Sequence, residues 1–118
     1  GMLPWAEEQT ERFIGQLSVP EHASRIDSEA EATGRPREAV VATVINVAMS
    51  TVVRELAPTE VEERLETLFA YVKDRQDQLI EGGESREIRP EFLLLDGIGR
   101  GVQQELTRRR DEELLAAA

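Results

Sequence analysis

Arg37-Glu-Ala-Val-Val-Ala-Thr-Val-Ile-Asn-Val-Ala-Met-Ser-Thr-Val-Val-Arg-Glu-Leu56 is the stretch that decides the fold. Ala39, Val40, Val41, Ala42, Val44, Ile45, Val47, Ala48, Met49, Val52, Val53 and Leu56 leave it little polar surface. Its many β-branched residues lower helix propensity by a few tenths of a kcal/mol each, which brings a strand into consideration. Length decides for a helix, since an uninterrupted run of this size far exceeds a typical strand of about six residues. A helix that is apolar nearly all round must be enclosed by other helices or by a second subunit. The expected architecture is therefore all-α, a five-segment helical bundle around a central apolar helix at about 36–56, in a single helical domain spanning 1–118.

Upstream, Gly34 sits where a left-handed C-terminal cap ends a helix. That helix starts at Ser18-Val-Pro-Glu21, which has the form of a capping box, and carries a narrow stripe of Val19, Ala23, Ile26 and Ala30. The first helix opens at Pro4, a residue suited to a first turn, and runs to about Leu17 with Ala6, Phe13, Ile14 and Leu17 inward. Its other face holds Glu7, Glu8, Glu11 and Arg12.

Downstream, Thr59-Glu-Val-Glu62 after Pro58 reads as a second capping box. Behind it Val61, Leu65, Leu68, Val72 and Leu79 follow helical spacing, with Phe69 and Ile80 widening the stripe. Glu60 with Arg64 and Lys73 with Asp77 are opposite charges four apart, worth about 0.2 to 0.5 kcal/mol each. Gly82-Gly83-Glu84-Ser85 ends this helix, and 82–89 is the candidate flexible loop. After Pro90, Asp96-Gly-Ile-Gly-Arg-Gly101 precedes a polar helix from Val102 to about Ala116. Gly97 and Gly101, four apart, either let a helix pack closely or mark a break between two short ones.

Composition narrows function by exclusion. With no cysteine there is no disulfide framework, thiolate zinc site, iron–sulfur cluster or cysteine nucleophile. No run approaches the 18 or so apolar residues of a membrane span, and the start lacks the basic and apolar regions of a signal peptide, so the expected location is cytoplasmic. The formal net charge is −10, with 5 basic against 9 acidic residues in 1–59 and 9 against 15 in 60–118. Neither half offers the basic face that duplex DNA requires, so nucleic acid is an improbable partner. Arg108-Arg109-Arg110, the one basic cluster, runs directly into Asp111-Glu112-Glu113.

Sites of chemistry are equally scarce. Asp96-Gly-Ile-Gly-Arg-Gly101 lacks the preceding strand of a dinucleotide fingerprint and the lysine of a phosphate loop. The single histidine, His22, has no second histidine for a metal site, and no serine stands in a Gly-x-Ser-x-Gly setting. Glu7-Glu8-Gln-Thr-Glu11 resembles the first half of the acidic magnesium motif of all-α nucleoside triphosphate pyrophosphatases, whose second half is absent here. No catalytic, cofactor-binding or metal-ligating residue is assigned, and no cofactor is implied.

The stretch from Ile26 through Thr33-Gly34 to Leu56, helix, turn, then apolar helix, resembles the dimerising hairpin of HU-like nucleoid proteins and also uncharacterised bacterial all-α domains. The strands and basic arm of HU-like proteins have no counterpart, so the resemblance implies a dimerising hairpin without DNA binding. The expected function is a non-enzymatic, self-associating interaction module, a homodimer with possible further protein partners. Trp5, Asn46, Met49, Ser50 and Val53 are the candidate interface residues, because tryptophan anchors interfaces and polar interruptions fix register between helices. The alternatives are a DNA-binding regulator or antitoxin-like protein acting through Arg35 and Arg37, and an acidic metal-dependent hydrolase built on Glu7, Glu8 and Glu11.

Overall fold

The apolar run forms a helix over Arg37–Arg54, the third of five in a computed structural model that describes residues 2–81 and 90–117. In chain order they are α1 (Met2–Leu17), α2 (Pro20–Thr33), α3 (Arg37–Arg54), α4 (Val61–Glu81) and α5 (Pro90–Ala117), with a 3-10 turn at Pro58–Glu60 before α4. The protein is an all-α helical bundle. The expected loop at 82–89 lies outside the described residues.

The tightest junction is between α3 and α5. A Cβ on Gly97 would lie 2.6 Å from Val41 Cβ, and one on Gly101 would lie 2.7 Å from Ile45 Cβ and 2.8 Å from the Ala42 carbonyl oxygen. Gly97 and Gly101 therefore mark close helix packing and not a break, and α5 runs unbroken through both. Because Gly97 meets Val41 and Gly101 meets Ile45, α3 and α5 run parallel. Asn46 Nδ2 donates to the Gly101 carbonyl at 3.4 Å and holds that register.

Parallel neighbours need a return path, which α4 supplies. Arg110 pairs with Glu66, while Gln76 Nε2 donates to Asp96 Oδ1 at 3.3 Å, so α4 and α5 are antiparallel. Gln76 occupies the buried stripe between Val72 and Leu79 and bridges to the start of α5. Helix α1 lies along α4 in the same direction, with Met2 beside Thr67 and Glu11 bonded to Arg75. Arg75 also reaches Glu91 at 2.5 Å, clamping α1, α4 and α5 together. Burial works against the Arg75 charge, but its bonds to Glu11, Glu91 and Tyr71 outweigh it and raise its pKa.

Helix α2 is the least embedded, with Ile26 as its buried residue. Gly34, at φ 71°, caps it and donates its N–H to Ala30 O at 2.9 Å, as its position predicts. The chain turns by 117° between α2 and α3, and Arg37 holds Asp27 across the corner at 2.6 Å. No single helix among the described residues is long and apolar enough to cross a membrane.

Four helix starts differ from expectation. Helix α1 opens at Met2 and not at Pro4, which sits within its first turn where a missing N–H costs nothing, and the last helix opens at Pro90 and not at Val102. Two more differ beside prolines. The N-cap of α2 is Val19 and not Ser18. Pro20 forces the residue before it into extended backbone, so the helix cannot open one position earlier, and the Ser18 N–H is already bonded to Ile14 O at 3.0 Å. Likewise Pro58 starts a 3-10 turn, closed by Glu60 N–H on Ala57 O at 2.9 Å, and α4 begins only at Val61. Of the two expected i,i+4 ion pairs, Glu60–Arg64 forms at 3.8 Å, whereas Lys73 lies over the Phe69 ring at 6.0 Å.

The α3–α5 contact predicts opposite effects for chemically identical changes. Gly97→Ala and Gly101→Ala destabilise by about 1–3 kcal/mol each, because Val41, Ile45 and backbone must give way. Gly99→Ala meets Val72 at an ordinary 3.5 Å and stabilises by up to about 1 kcal/mol through helix propensity. Urea denaturation of the three variants measures the contrast. At the far end of α5, the Glu113 carboxyl is raised by its hydrogen bond to Glu62, then by desolvation and the Glu62 charge, against the pull of Arg109 and Arg110. A carboxyl raised on folding binds its proton more tightly in the folded chain, so it favours folding as pH falls through its folded value and opposes folding above it. Glu113→Gln therefore raises Tm at neutral pH, and its advantage vanishes below the ordinary carboxylate range, at about pH 3; thermal melts at both pH values test this.

Candidate functional site

A groove of about 370 Å³ opens between the end of α1, α2 and the first half of α3. Each wall follows from helical spacing. Phe13 and Leu17, four apart on α1, are buried toward it, Ile26 rises from α2, and Val40 and Ile45 line it from α3 with Val44 and Ala48. The small, sparse apolar stripe of α2 explains the opening, since one buried isoleucine cannot fill the space that Phe13, Leu17 and α3 enclose.

Polar groups stand at the rim, from Gln16 on α1 and His22, Arg25 and Glu29 on α2. His22 Nδ1 lies 2.7 Å from Gln16 O, and a carbonyl can only accept, so Nδ1 carries a proton and donates it there. Arg25 makes no ion pair or side-chain hydrogen bond among the described residues. Arg37 is spent on Asp27, and Arg35 donates to Ala39 O at 3.2 Å and Thr43 Oγ1 at 3.0 Å. The groove thus combines apolar walls with an unpaired cation, Arg25, and with the Glu29 carboxylate at its rim. It can hold aliphatic side chains beside a polar group that engages Arg25. Among the described residues no group of three or more His, Cys, Asp or Glu could hold a metal ion.

The groove continues onto the outer face of α3. Val44 is 43% exposed and Val47 69% exposed, with Thr43, Ser50 and Thr51 around them. From Ala39 to Val53 no residue carries a charge, in a chain that is 32% charged.

The residues singled out as interface candidates do not come together there. Met49 is fully buried at 0% exposure and belongs to the core, on the α3 face shared by Val41, Ile45 and Val52. Asn46 is committed to Gly101, and Val53 packs partly buried against the core. Trp5 lies on α1 under the Arg64 guanidinium, 5.4 Å from its ring centre. Ser50 alone of the five lies exposed on the outer face, its hydroxyl donating to Val47 O at 2.8 Å. Of the acidic group on α1, Glu7 and Glu8 face solvent and Glu11 is held by Arg75.

Val44 and Val47 were hidden among the valines of an apolar helix, yet a signal for them existed. Thr43, Val47, Ser50 and Thr51 recur at spacings that share one helix face, so the polar residues mark which valine points outward. No protein-family model, no curated protein and no solved structure matches the chain.

Proposed function

We propose that the chain is a non-catalytic, cytoplasmic helical module that pairs with a second copy of itself through the outer face of α3. The observation that carries this is Val47, 69% exposed beside Val44 on a helix whose opposite side is already filled by α5. Exposed valines scattered singly need no explanation, but Val44 lines an apolar groove and Val47 stands one helical turn from it.

The charge distribution leaves this face open to a second copy. A protein of net charge −10 repels itself, and the uncharged stretch from Ala39 to Val53 lets two copies approach with the least repulsion. A two-fold axis perpendicular to α3 at Val47 sets α3 antiparallel to its mate, with Thr43 and Thr51 of opposite copies as neighbours. Pairing of this kind is also what the likeness of the α2–α3 hairpin to HU-like hairpins implies. A nucleic-acid role draws no comparable support, because both arginines at the hairpin turn already have partners.

Sedimentation equilibrium at micromolar concentration tests the proposal. The expected result is a dimer, converted to monomer by Val47→Asp with unchanged helix content, since Val47 contributes little to the folded monomer. Two aspartates facing each other across the axis weaken pairing on the order of 100-fold or more. A wild-type chain that stays strictly monomeric overturns it.

A further inference from the structure

We infer that in the paired form each copy seats the last turns of its α5 in the groove of its mate, with Leu114 and Leu115 against the apolar walls and Asp111 on Arg25. This rests on the pairing proposed above and assigns the groove to a particular segment of the partner.

Leu114 is 71% exposed and Leu115 77% exposed, the most exposed large apolar side chains of the described residues. Asp111 precedes them by three and four positions, so all three share one face of α5. Two of the neighbouring cations on this segment are committed, Arg108 to Glu105 and Glu112 and Arg110 to Glu66. Asp111 makes no ion pair or side-chain hydrogen bond among the described residues, and it is the acidic residue on the same face as the two exposed leucines. The groove offers a complement in Arg25, next to Phe13, Leu17 and Ile26, with Glu29 one turn further along α2.

The copy's own α5 cannot make this contact. It is a continuous helix to Ala117, and its last turns are held along the start of α4, away from the groove. Geometry delivers the partner's instead. Because α5 runs parallel to α3 and extends past its end, an antiparallel α3 pair carries the partner's last α5 turns toward the first half of α3, where the groove lies. The exchange is reciprocal, so both grooves and both leucine pairs are covered by one two-fold operation.

Charge exchange at the two exposed positions tests the contact in the full chain. Arg25→Asp and Asp111→Arg each weaken dimerisation by roughly tenfold or more, and the double variant R25D/D111R restores it, as sedimentation equilibrium would show. Leu114→Ser with Leu115→Ser weakens the dimer without lowering the monomer's Tm. A dimer indifferent to all of these but dissolved by Val47→Asp overturns the α5 contact and leaves pairing intact, as does failure of the double variant to recover. A monomeric wild type overturns both, and groove resonances that shift on adding decanoate would then give the site to an amphiphilic small molecule.

Discussion

Everything in this bundle depends on how closely α5 approaches α3. Two glycines one turn apart remove the side chains that would hold the helices at ordinary separation, and Val41 and Ile45 fill the space so released. Close approach brings the Asn46 amide within reach of a backbone carbonyl on the other helix, which converts a permissive contact into a registered one. Dispersion between well-fitted surfaces falls steeply with separation, so the same geometry that admits no Cβ yields the most from the aliphatic side chains around it.

The consequence for surface chemistry is indirect. By satisfying the buried side of α3 with one helix, the α3–α5 contact leaves α2 little to do, and α2 spans its corner with Ile26 and an Arg37–Asp27 bridge. The groove is the gap that results. On the opposite flank polar clamps take over, with Arg75 joining three helices and Gln76 bonding to the start of α5. One edge of the bundle is thus closed by hydrogen bonds, and the other remains apolar and open.

Much of the fold was legible in the residues. The length of the apolar run, the glycine cap at Gly34 and the spacing of Val61, Leu65, Leu68 and Val72 led directly to helices that exist. Helix starts were less legible because capping rules and proline rules compete. At Ser18 and Thr59 a capping-box pattern was present, but the adjacent prolines fixed backbone angles that the pattern could not override. Gly97 and Gly101 were ambiguous for another reason, since a four-residue glycine spacing has the same appearance in a broken helix and in a close contact until the facing residues are known. The site was least legible. Met49 and Val47 share one apolar helix, and a thin stripe of Thr43, Ser50 and Thr51 is a faint mark of the exposed side that the placement of α5 makes plain. Gln76 passed unnoticed because a polar residue in an apolar stripe declares itself only through the carbonyl and carboxylate it reaches.

The parallel arrangement of α3 and α5 also sets an order of events during synthesis. Asn46 and Gly101 are separated by 55 positions, so the central contact closes only after α4 has turned the chain back. Until Gly97 and Gly101 are made, the faces of Val41 and Ile45 lack the α5 backbone that closes over them. Loop-closure entropy rises only slowly with length, so the delay costs little stability. It does leave the valine-rich stretch from Ala39 to Val53 without its main cover for the time needed to make nearly half the protein, and the arrival of α5 supplies it.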